Sequence, residues 1–166
     1  MSPILVRNAM TSDLKKLVEL RLSLQQHVEK SNSLIWRITK EGTRILKQKF
    51  EETLRDSNSS MVVAEIDGEV IGFAYGQVVS RTDYLPERVG HISTIYVSKS
   101  FRRRGVGIRL VEELCQFFIR ENVEQVTLRY IIGNIEAEEF WSKLRFKPII
   151  TTASIRPEEL KKRLML

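Results

Sequence analysis

The stretch that decides the fold runs from residue 90 to residue 121 and reads GHISTIYVSKSFRRRGVGIRLVEELCQFFIRE. Its first part, Gly90 to Val97, is rich in β-branched residues and predicts a strand. Its last part, Val106 to Glu121, has apolar residues at helical spacing and predicts an amphipathic helix with Cys115 on its buried apolar face. Glu124 to Tyr130 predicts a further strand. A strand, a helix and a strand joined so closely indicate a right-handed parallel βαβ unit.

The residues before this unit predict more strands and two helices. Asp67-Gly68 is a typical two-residue hairpin turn, and the strands on its two sides are predicted at Met61 to Ile66 and Glu69 to Val79. A short strand is predicted at Ile4 to Arg7, followed by a helix capped by Thr11, Ser12 or Asp13, a loop at Ser31 to Leu34, and a helix opening at Thr39.

After the unit, Asn134 is placed to cap a helix, and Phe146 to Thr152 has strand character. Pro157-Glu158-Glu159 fits the start of a terminal helix or a loose tail. The order of elements predicts an α+β fold with a mixed sheet. A length of 166 residues without a low-complexity break predicts a single domain over residues 1–166.

Composition narrows the class of protein. Hydrophobic residues make up 42% and charged residues 29%, which excludes a disordered or collagen-like chain. Cys115 is the sole cysteine and the start has no long apolar leader, so we expect a cytoplasmic location. No apolar run reaches the ~20 residues that span a bilayer. No Cys, His, Asp and Glu cluster has metal-ligand spacing, and we expect no metal.

The loop between strand and helix has the chemistry of an anion-binding site. Arg102, Arg103 and Arg104 precede Gly105, Val106, Gly107 and Ile108, at the start of the helix. Glycine permits φ > 0 and close approach, and a helix N-terminus offers unpaired N–H groups. The third glycine of a dinucleotide loop and the lysine of a Walker A loop are both missing. A pyrophosphate ligand and a merely solvated turn both fit these residues.

The residues that flank the loop distinguish between these two interpretations. The segment resembles the acetyl-CoA signature of the GNAT superfamily, the general control-related N-acetyltransferases, in which Gln/Arg-x-x-Gly-x-Gly/Ala follows an aliphatic-aromatic-Val triplet. The matching residues are Ile95, Tyr96, Val97, Arg102, Gly105 and Gly107. Two other segments are similar to family motifs: Arg7-Asn8-Ala9 with Asp13-Leu14, and Asn134-x-x-Ala137-x-x-Phe140-Trp141 with Phe146.

The resemblance implies a three-layer fold, with helices on both faces of a mostly antiparallel sheet and the parallel βαβ unit at the acetyl-CoA site. It implies acetyl-CoA as co-substrate and transfer of the acetyl group to a primary amine of a small molecule or protein, by direct attack on the thioester. The free backbone groups near Val97 would hold the pantetheine arm, and Asn134 and Trp141 would contact the co-substrate. Trp141 has helical spacing that also fits a core position.

Two residues depart from the family pattern. Trp141 stands where the family often has a tyrosine that protonates the CoA thiolate, and Arg145 stands where it has a glycine. The indole N–H of tryptophan is a donor but no general acid. Tyr130 or a water molecule would then supply the proton. The missing tyrosine also keeps open an alternative function, that of a non-catalytic acetyl-CoA-binding regulatory domain.

His91 is the candidate base that accepts the amine proton. It lies six residues before Val97, where some family members have a carboxylate base, and its ordinary pKa near ~6.5 suits the role. Strand alternation predicts that His91, Ser93, Ile95 and Val97 share one face. A purely structural histidine is the alternative.

Charge alone does not name the partner. The net charge of +6 favours anionic ligands in general. We do not expect a nucleic-acid partner, because the arginine run has neither interleaved aromatic residues nor zinc-ligand spacing. A homodimer stays possible.

Overall fold

The computed structural model describes residues 2–31 and 36–165. In these ranges the strands are β1 (Leu5–Asn8), β2 (Ser59–Ile66), β3 (Glu69–Ser80), β4 (Arg88–Val97) and β5 (Gln125–Leu128). The helices are α1 (Leu14–Ser31), α2 (Lys40–Arg44), α3 (Leu46–Arg55), α4 (Val106–Arg120), α5 (Ile135–Lys143) and α6 (Pro157–Leu164). Short 3-10 helices occupy Thr11–Asp13 and Lys99–Phe101. The predicted loop at residues 31–34 falls mostly outside the described residues.

The strands form one sheet in the order β1-β2-β3-β4-β5. Pairings among the first four are antiparallel, and β4 pairs with β5 in parallel, with α4 as the crossover. Asp67 (φ 50°) and Gly68 (φ 80°) close the β2–β3 hairpin in the left-handed conformations that a type I′ turn needs. The predicted α+β class, hairpin and βαβ unit are confirmed.

Helices pack on both faces of this sheet. On one face, α4 approaches so closely that Gly76 and Gly90 leave room for the ring of Phe118; a Cβ at either glycine would lie 2.8 Å from a ring atom. On the other face, α1 and α3 pack over β2 and β3. Their shared core contains Leu17, Phe50 and Phe73. The predicted three layers are therefore present around the sheet.

A charge cluster ties β1 to the first helical turn. Arg7 donates to both carboxylate oxygens of Asp13, at 2.7 and 3.0 Å, and to Glu65 at 2.8 Å. Asp13 also accepts from the backbone N–H of Met10 at 2.8 Å. Hydrogen bonding to Arg7 holds the pKa of Asp13 below its usual value. The Arg7 and Asp13 motif of the sequence thus has a structural role: this ion pair, called here the Arg7–Asp13 lock, fastens β1 to the turn before α1.

Two expectations from the sequence are wrong. Phe146 to Thr152 is not a strand, and Ile149 and Ile150 are 79% and 83% exposed. Strand propensity measures how well a residue suits a half-buried pleated surface, and this segment pairs with no strand; Pro148 also has no N–H to donate. Cys115, expected on the buried face of its helix, is exposed.

The chain separates into two compact units, one ending at Ile131 and one beginning at Ile132. The sheet and α1 to α4 belong to the first unit, and α5 and α6 to the second. Trp141 of the second unit is buried, with Phe140 and Phe146 edge-on to its ring. The single-domain assignment stays a prediction. In the described part of the chain, none of the helices has the length and apolar character to cross a bilayer.

Candidate active site

Strands β4 and β5 separate part-way along the sheet, and the gap between them is the first feature of the site. Their parallel pairing runs from Val89 opposite Gln125 to Ile92 opposite Leu128. Strand β4 continues to Val97 with β3 on one side only. Among the described residues, no strand pairs with the other side of Thr94 to Val97. A row of strand backbone groups therefore borders an open gap.

The pairing with β3 shows which backbone groups face this gap. Ser98 donates to the carbonyl of Ile71 at 2.9 Å, which makes Val97 and Gly72 a pair that exchanges no hydrogen bonds. The same alternation places Ile95 in a non-hydrogen-bonded pair. The N–H and C=O groups of Ile95 and Val97 therefore point away from β3 and toward the gap.

The carbonyl of Val97 is already used. Arg102 donates to it from Nε at 3.0 Å, and the Arg102 guanidinium lies 5.6 Å from the centre of the Tyr96 ring. The sequence predicts free backbone groups near Val97, and the carbonyl of Val97 itself is therefore not one of them. Its N–H has no such partner among the described residues, so it is the group that can donate to a ligand in the gap.

The arginine and glycine loop ends at the N-terminus of α4 as the sequence predicts. Gly105 is the N-cap with φ 78°, and Arg103 also has positive φ, 60°. Left-handed residues in such a turn direct successive N–H groups toward one point. Gly105 has no side chain to cap the helix, so the N–H groups of Val106, Gly107 and Ile108 are unpaired within it. This geometry fits a pyrophosphate.

The arginine side chains add positive charge beside these N–H groups. Arg103 and Arg104 are exposed, and neither forms an ion pair with any described carboxylate. The Arg104 guanidinium lies 5.6 Å from the centre of the Phe101 ring. Their charge is therefore available to an anion at the start of α4.

A β-bulge in β4 sets the direction of the residues before the gap. Thr94 pairs with Tyr75 and Ile92 pairs with Gly76, although Tyr75 and Gly76 are consecutive. Ser93 is thus the extra residue on β4. A bulge interrupts the alternation of side chains, so residues on its two sides change faces relative to a regular strand.

His91 consequently lies on a different face from the one expected. It pairs with Gln77, which shares a face with Tyr75 and therefore with Thr94. The prediction that His91 shares its face with Ile95 and Val97 is wrong, because alternation cannot be carried through the bulge. His91 instead faces the side covered by α1 and α3.

Hydrogen bonds assign the tautomer of His91. Its Nδ1 lies 3.0 Å from Oγ1 of Thr127, and that hydroxyl donates to the carbonyl of Gly90 at 3.1 Å. Because the hydroxyl has one proton, it must accept from His91, so Nδ1 carries the hydrogen and Nε2 keeps a lone pair. Burial, with a smaller effect of the Arg129 charge, lowers the pKa of His91 below its usual value. A neutral imidazole is the result.

Tyr130 directly follows the point where β5 leaves β4. It lies two residues beyond Leu128, the last residue of β5 paired with β4, and its side chain is partly buried. Among the described residues, no hydrogen bond engages its hydroxyl. Tyr130 therefore lies on the β5 side of the gap, close to the point where the two strands part.

The two remaining predicted contacts, Asn134 and Trp141, lie in the second unit. Asn134 is the N-cap of α5, and its side chain accepts from the N–H of Ala137 at 3.3 Å. Helix capping is therefore a sufficient structural reason for an asparagine at this position. Trp141 is 4% exposed within an aromatic cluster. Contact of either residue with a co-substrate stays a prediction.

A cleft of about 630 Å³ lies on the His91 face of the sheet. Tyr75 and Thr94 contribute from the strands, and Arg21 and Gln25 from α1. Residues 36–38 and α3 complete its walls. The sequence did not indicate this cleft, because its residues are distant in the chain and share no motif. The described residues contain no group of three or more side chains able to hold a metal.

Comparison with known proteins agrees with this geometry. Residues 23–146, more than half of the chain, match the profile of the acetyltransferase (GNAT) family. The chain belongs to this family. GNAT proteins use acetyl-CoA as co-substrate, which agrees with the loop geometry and supports the predicted acyltransferase class.

The chain is also similar to proteins of known sequence and to solved structures. The N-alpha-acetyltransferase of Sulfurisphaera tokodaii is 32% identical over 106 residues, which are 60% of this chain and 64% of that protein. A mutant of the BH1408 protein from Bacillus halodurans superimposes with a TM-score of 0.82 at 18% identity, over 92% of this chain and 98% of that one. An aminoglycoside N-acetyltransferase in complex with CoA gives 0.73 at 20% identity, over 94% and 95%.

These matches cover too little of the relatives' length, or have too low an identity, to assign an activity or acceptor to this chain. The chain spans less than two thirds of the length of the Sulfurisphaera relative. The structural neighbours show the shared fold. The activity and acceptor of this chain are therefore argued below from its own residues.

Proposed function

We propose that this chain transfers the acetyl group of acetyl-CoA to a primary amine, by direct attack of the amine on the thioester. The observation that carries the proposal is the gap between β4 and β5. It places outward-facing backbone groups of a strand next to an unpaired helix N-terminus. The first suits the amide-containing pantetheine arm, and the second suits a pyrophosphate.

Acetyl-CoA would supply an activated acyl carbonyl. The N–H groups of Val106, Gly107 and Ile108, with Arg103 and Arg104, would hold its phosphates. Ile95 would bind the arm through its backbone. The free N–H of Val97 would donate to the acyl oxygen, where negative charge develops, and one such preorganised donor is worth about 10²–10³-fold in rate.

His91 is proposed as the general base. Its lowered pKa keeps it neutral near pH 7, and the hydrogen bond of Nδ1 to Thr127 leaves the Nε2 lone pair available to take a proton. An amine is largely protonated at neutral pH and needs this help. His91 lies on the same sheet face as Tyr75 and Thr94 of the cleft, so we assign the cleft to the acceptor.

Tyr130 is proposed as the acid that protonates the departing thiolate. Its support is its place at the border of the gap and a hydroxyl without a described partner. The thiol has an ordinary pKa of about 8.5, so the thiolate leaves tolerably without help. We therefore expect the acid to matter less than the base.

The amine at the start of a polypeptide is the first acceptor to test. The Sulfurisphaera tokodaii relative is named an N-alpha-acetyltransferase. A cleft walled by α1 and α3 on the His91 face also offers room for several residues of an extended chain. A cytoplasmic location and a homodimer stay predictions.

Incubation with acetyl-CoA and a panel of peptides, polyamines and aminoglycosides, with CoA release and product mass as readouts, tests this function. We expect amine-dependent CoA release and a mass increase of one acetyl group. CoA binding without turnover on every acceptor would instead support the alternative of a non-catalytic, acetyl-CoA-binding regulatory domain. Absence of CoA binding would contradict both.

A further inference from the structure

The acceptor cleft contains a guanidinium that forms no ion pair with a carboxylate of the described residues. Arg21 lies on α1, lines the cleft and is partly buried. It donates a hydrogen bond from Nη1 to Oε1 of Gln25, at 3.1 Å. In contrast, Arg7, Arg44 and Arg88 each form an ion pair with a carboxylate. Among the described residues, Arg21 forms none.

Leaving this cation unpaired has a physical cost. Burial lowers the pKa of Arg21, although a guanidinium still stays charged at neutral pH. The amide oxygen of Gln25 uses one of its five N–H donors. The other donors belong to a residue that lines the cleft, where a ligand rather than the protein can accept from them.

Gln25 holds Arg21 in this position. Gln25 is 7% exposed, and its Nε2 donates to Oε1 of Glu29 at 3.1 Å and to the carbonyl of Trp36. Because both amide hydrogens are used, the oxygen of Gln25 must face Arg21. Glu29 is held in turn by the backbone N–H of Ile38 at 2.8 Å. The cation is therefore preorganised.

The carboxylates that line the cleft are engaged elsewhere. Asp56 accepts from the N–H of Asn58 at 3.0 Å and from the hydroxyl of Ser59 at 2.6 Å. Glu52 accepts from Gln48 at 2.9 Å. They do not neutralise Arg21. With Arg37 and Lys49, which also line the cleft, the wall carries three cations against these two carboxylates, and this balance suits a ligand with a single negative charge.

We propose that Arg21 determines acceptor specificity by binding a carboxylate on the acceptor amine. This inference rests on the proposed acetyl transfer and names its substrate class: an amine that also carries one carboxylate. A planar guanidinium with several donors matches the two oxygens of a carboxylate. The apolar side chains of Trp36, Ile38 and Phe50 in the same cleft strengthen such a bond by excluding water.

The test compares matched peptides whose second residue is Glu, Gln or Lys, with kcat/KM for acetylation as the readout. The wild type should prefer Glu over Gln by about 10-fold to 100-fold, the size of a hydrogen bond to a charged group. Arg21→Gln should bring the ratio near one, and Arg21→Lys should give an intermediate ratio. Lys15→Gln, which removes an exposed charge from the same helix, should keep the wild-type ratio.

Two further acceptors identify the source of the anion. Alanine compared with alaninamide reports whether an α-carboxylate satisfies Arg21, and a phosphoserine peptide reports whether a phosphate does. The carboxylate assignment would be overturned if the wild type acetylated Glu and Gln peptides equally well and also alanine and alaninamide equally well. It would also be overturned by a preference for the phosphoserine peptide over the Glu peptide. A preference that survives in Arg21→Gln would overturn it as well. Absence of acetylation on every amine would instead overturn the proposed function itself.

Discussion

A substitution at His91 should affect the chemical step without affecting CoA binding. His91→Gln should keep CoA binding and lower kcat by about 10²-fold or more, the lower end of general-base contributions. The loss should shrink at high pH, where the amine is already deprotonated. CoA titration and pH–rate profiles measure the two effects. A stable variant with wild-type turnover across neutral pH would exclude His91 as the base.

Thr127 is expected to act as a positioning residue for that base. Thr127→Val removes the acceptor for Nδ1–H of His91, so kcat should fall by about 3-fold to 10-fold, the size of one neutral hydrogen bond. The same bond favours the protonated imidazole, so its loss should move the acid limb of the pH–rate profile to lower pH. Thr127→Ser keeps the hydroxyl and is the matched control. An unmoved limb in Thr127→Val would contradict this role.

At the scale of single elements, substitutions in the loop before α4 test whether this loop binds the phosphates of CoA. CoA should raise the melting temperature of the wild type, because it binds only the folded chain. Gly105→Asp and Gly107→Asp should abolish this shift by placing a carboxylate where phosphate is expected. Asparagine tolerates positive φ and is neutral, and no atom lies within 4 Å of a Cβ at Gly105, so Gly105→Asn should retain part of it. Unchanged CoA affinity in both aspartate variants would place the co-substrate elsewhere.

The contact between β4 and α4 depends on the absence of a side chain at Gly90. A Cβ there would lie 2.8 to 3.0 Å from three ring atoms of Phe118, which is 2% exposed. Gly90→Ala should therefore lower the free energy of unfolding by about 1–3 kcal/mol, as overpacking does. Urea denaturation measures the change. The double variant Gly90→Ala with Phe118→Leu should lose less stability than the sum of the losses in the two single variants. A loss equal to that sum would mean that the two residues do not interact.

For the whole molecule, acid sensitivity should follow from the lock between Arg7 and Asp13. The pKa of Asp13 is lower in the folded chain than its ordinary value of 3.8, so its stabilising effect is present above pH 3.8 and is lost as pH falls through the folded pKa. Asp13→Asn should therefore be less stable than the wild type at pH 7, by about 1–3 kcal/mol, and the difference should narrow below pH 3.8. Denaturation midpoints across pH measure this, and a pH-independent difference would contradict it.

His91 should add a second, milder step in the same direction. Its pKa is lowered on folding, so the unfolded chain binds a proton more readily and stability declines as pH falls below about 6.5. His91→Gln should remove that step while leaving the Asp13 step in place. The two steps are therefore separable by variant as well as by pH.

The order of elements as far as α5, the Asp67-Gly68 hairpin, the crossover and the loop before α4 were all predictable from the sequence. Each depends on local properties: side-chain periodicity, turn chemistry and glycine conformations, which act over a few residues. The family resemblance rested on the same local patterns, and the family assignment is confirmed.

Only the tertiary structure decided where the chemical groups face. The bulge at Ser93 arises from the match between β3 and β4, and it turns His91 away from the face that simple alternation predicts. Thr127 contacts His91, which lies 36 residues earlier in the chain, because β4 and β5 pair in parallel. Phe146 to Thr152 has strand composition but no partner strand, and Arg21 joins Thr94 in one cleft from a distant helix. Such relations depend on which segments pack together, and a periodicity within one segment contains no information about its partner.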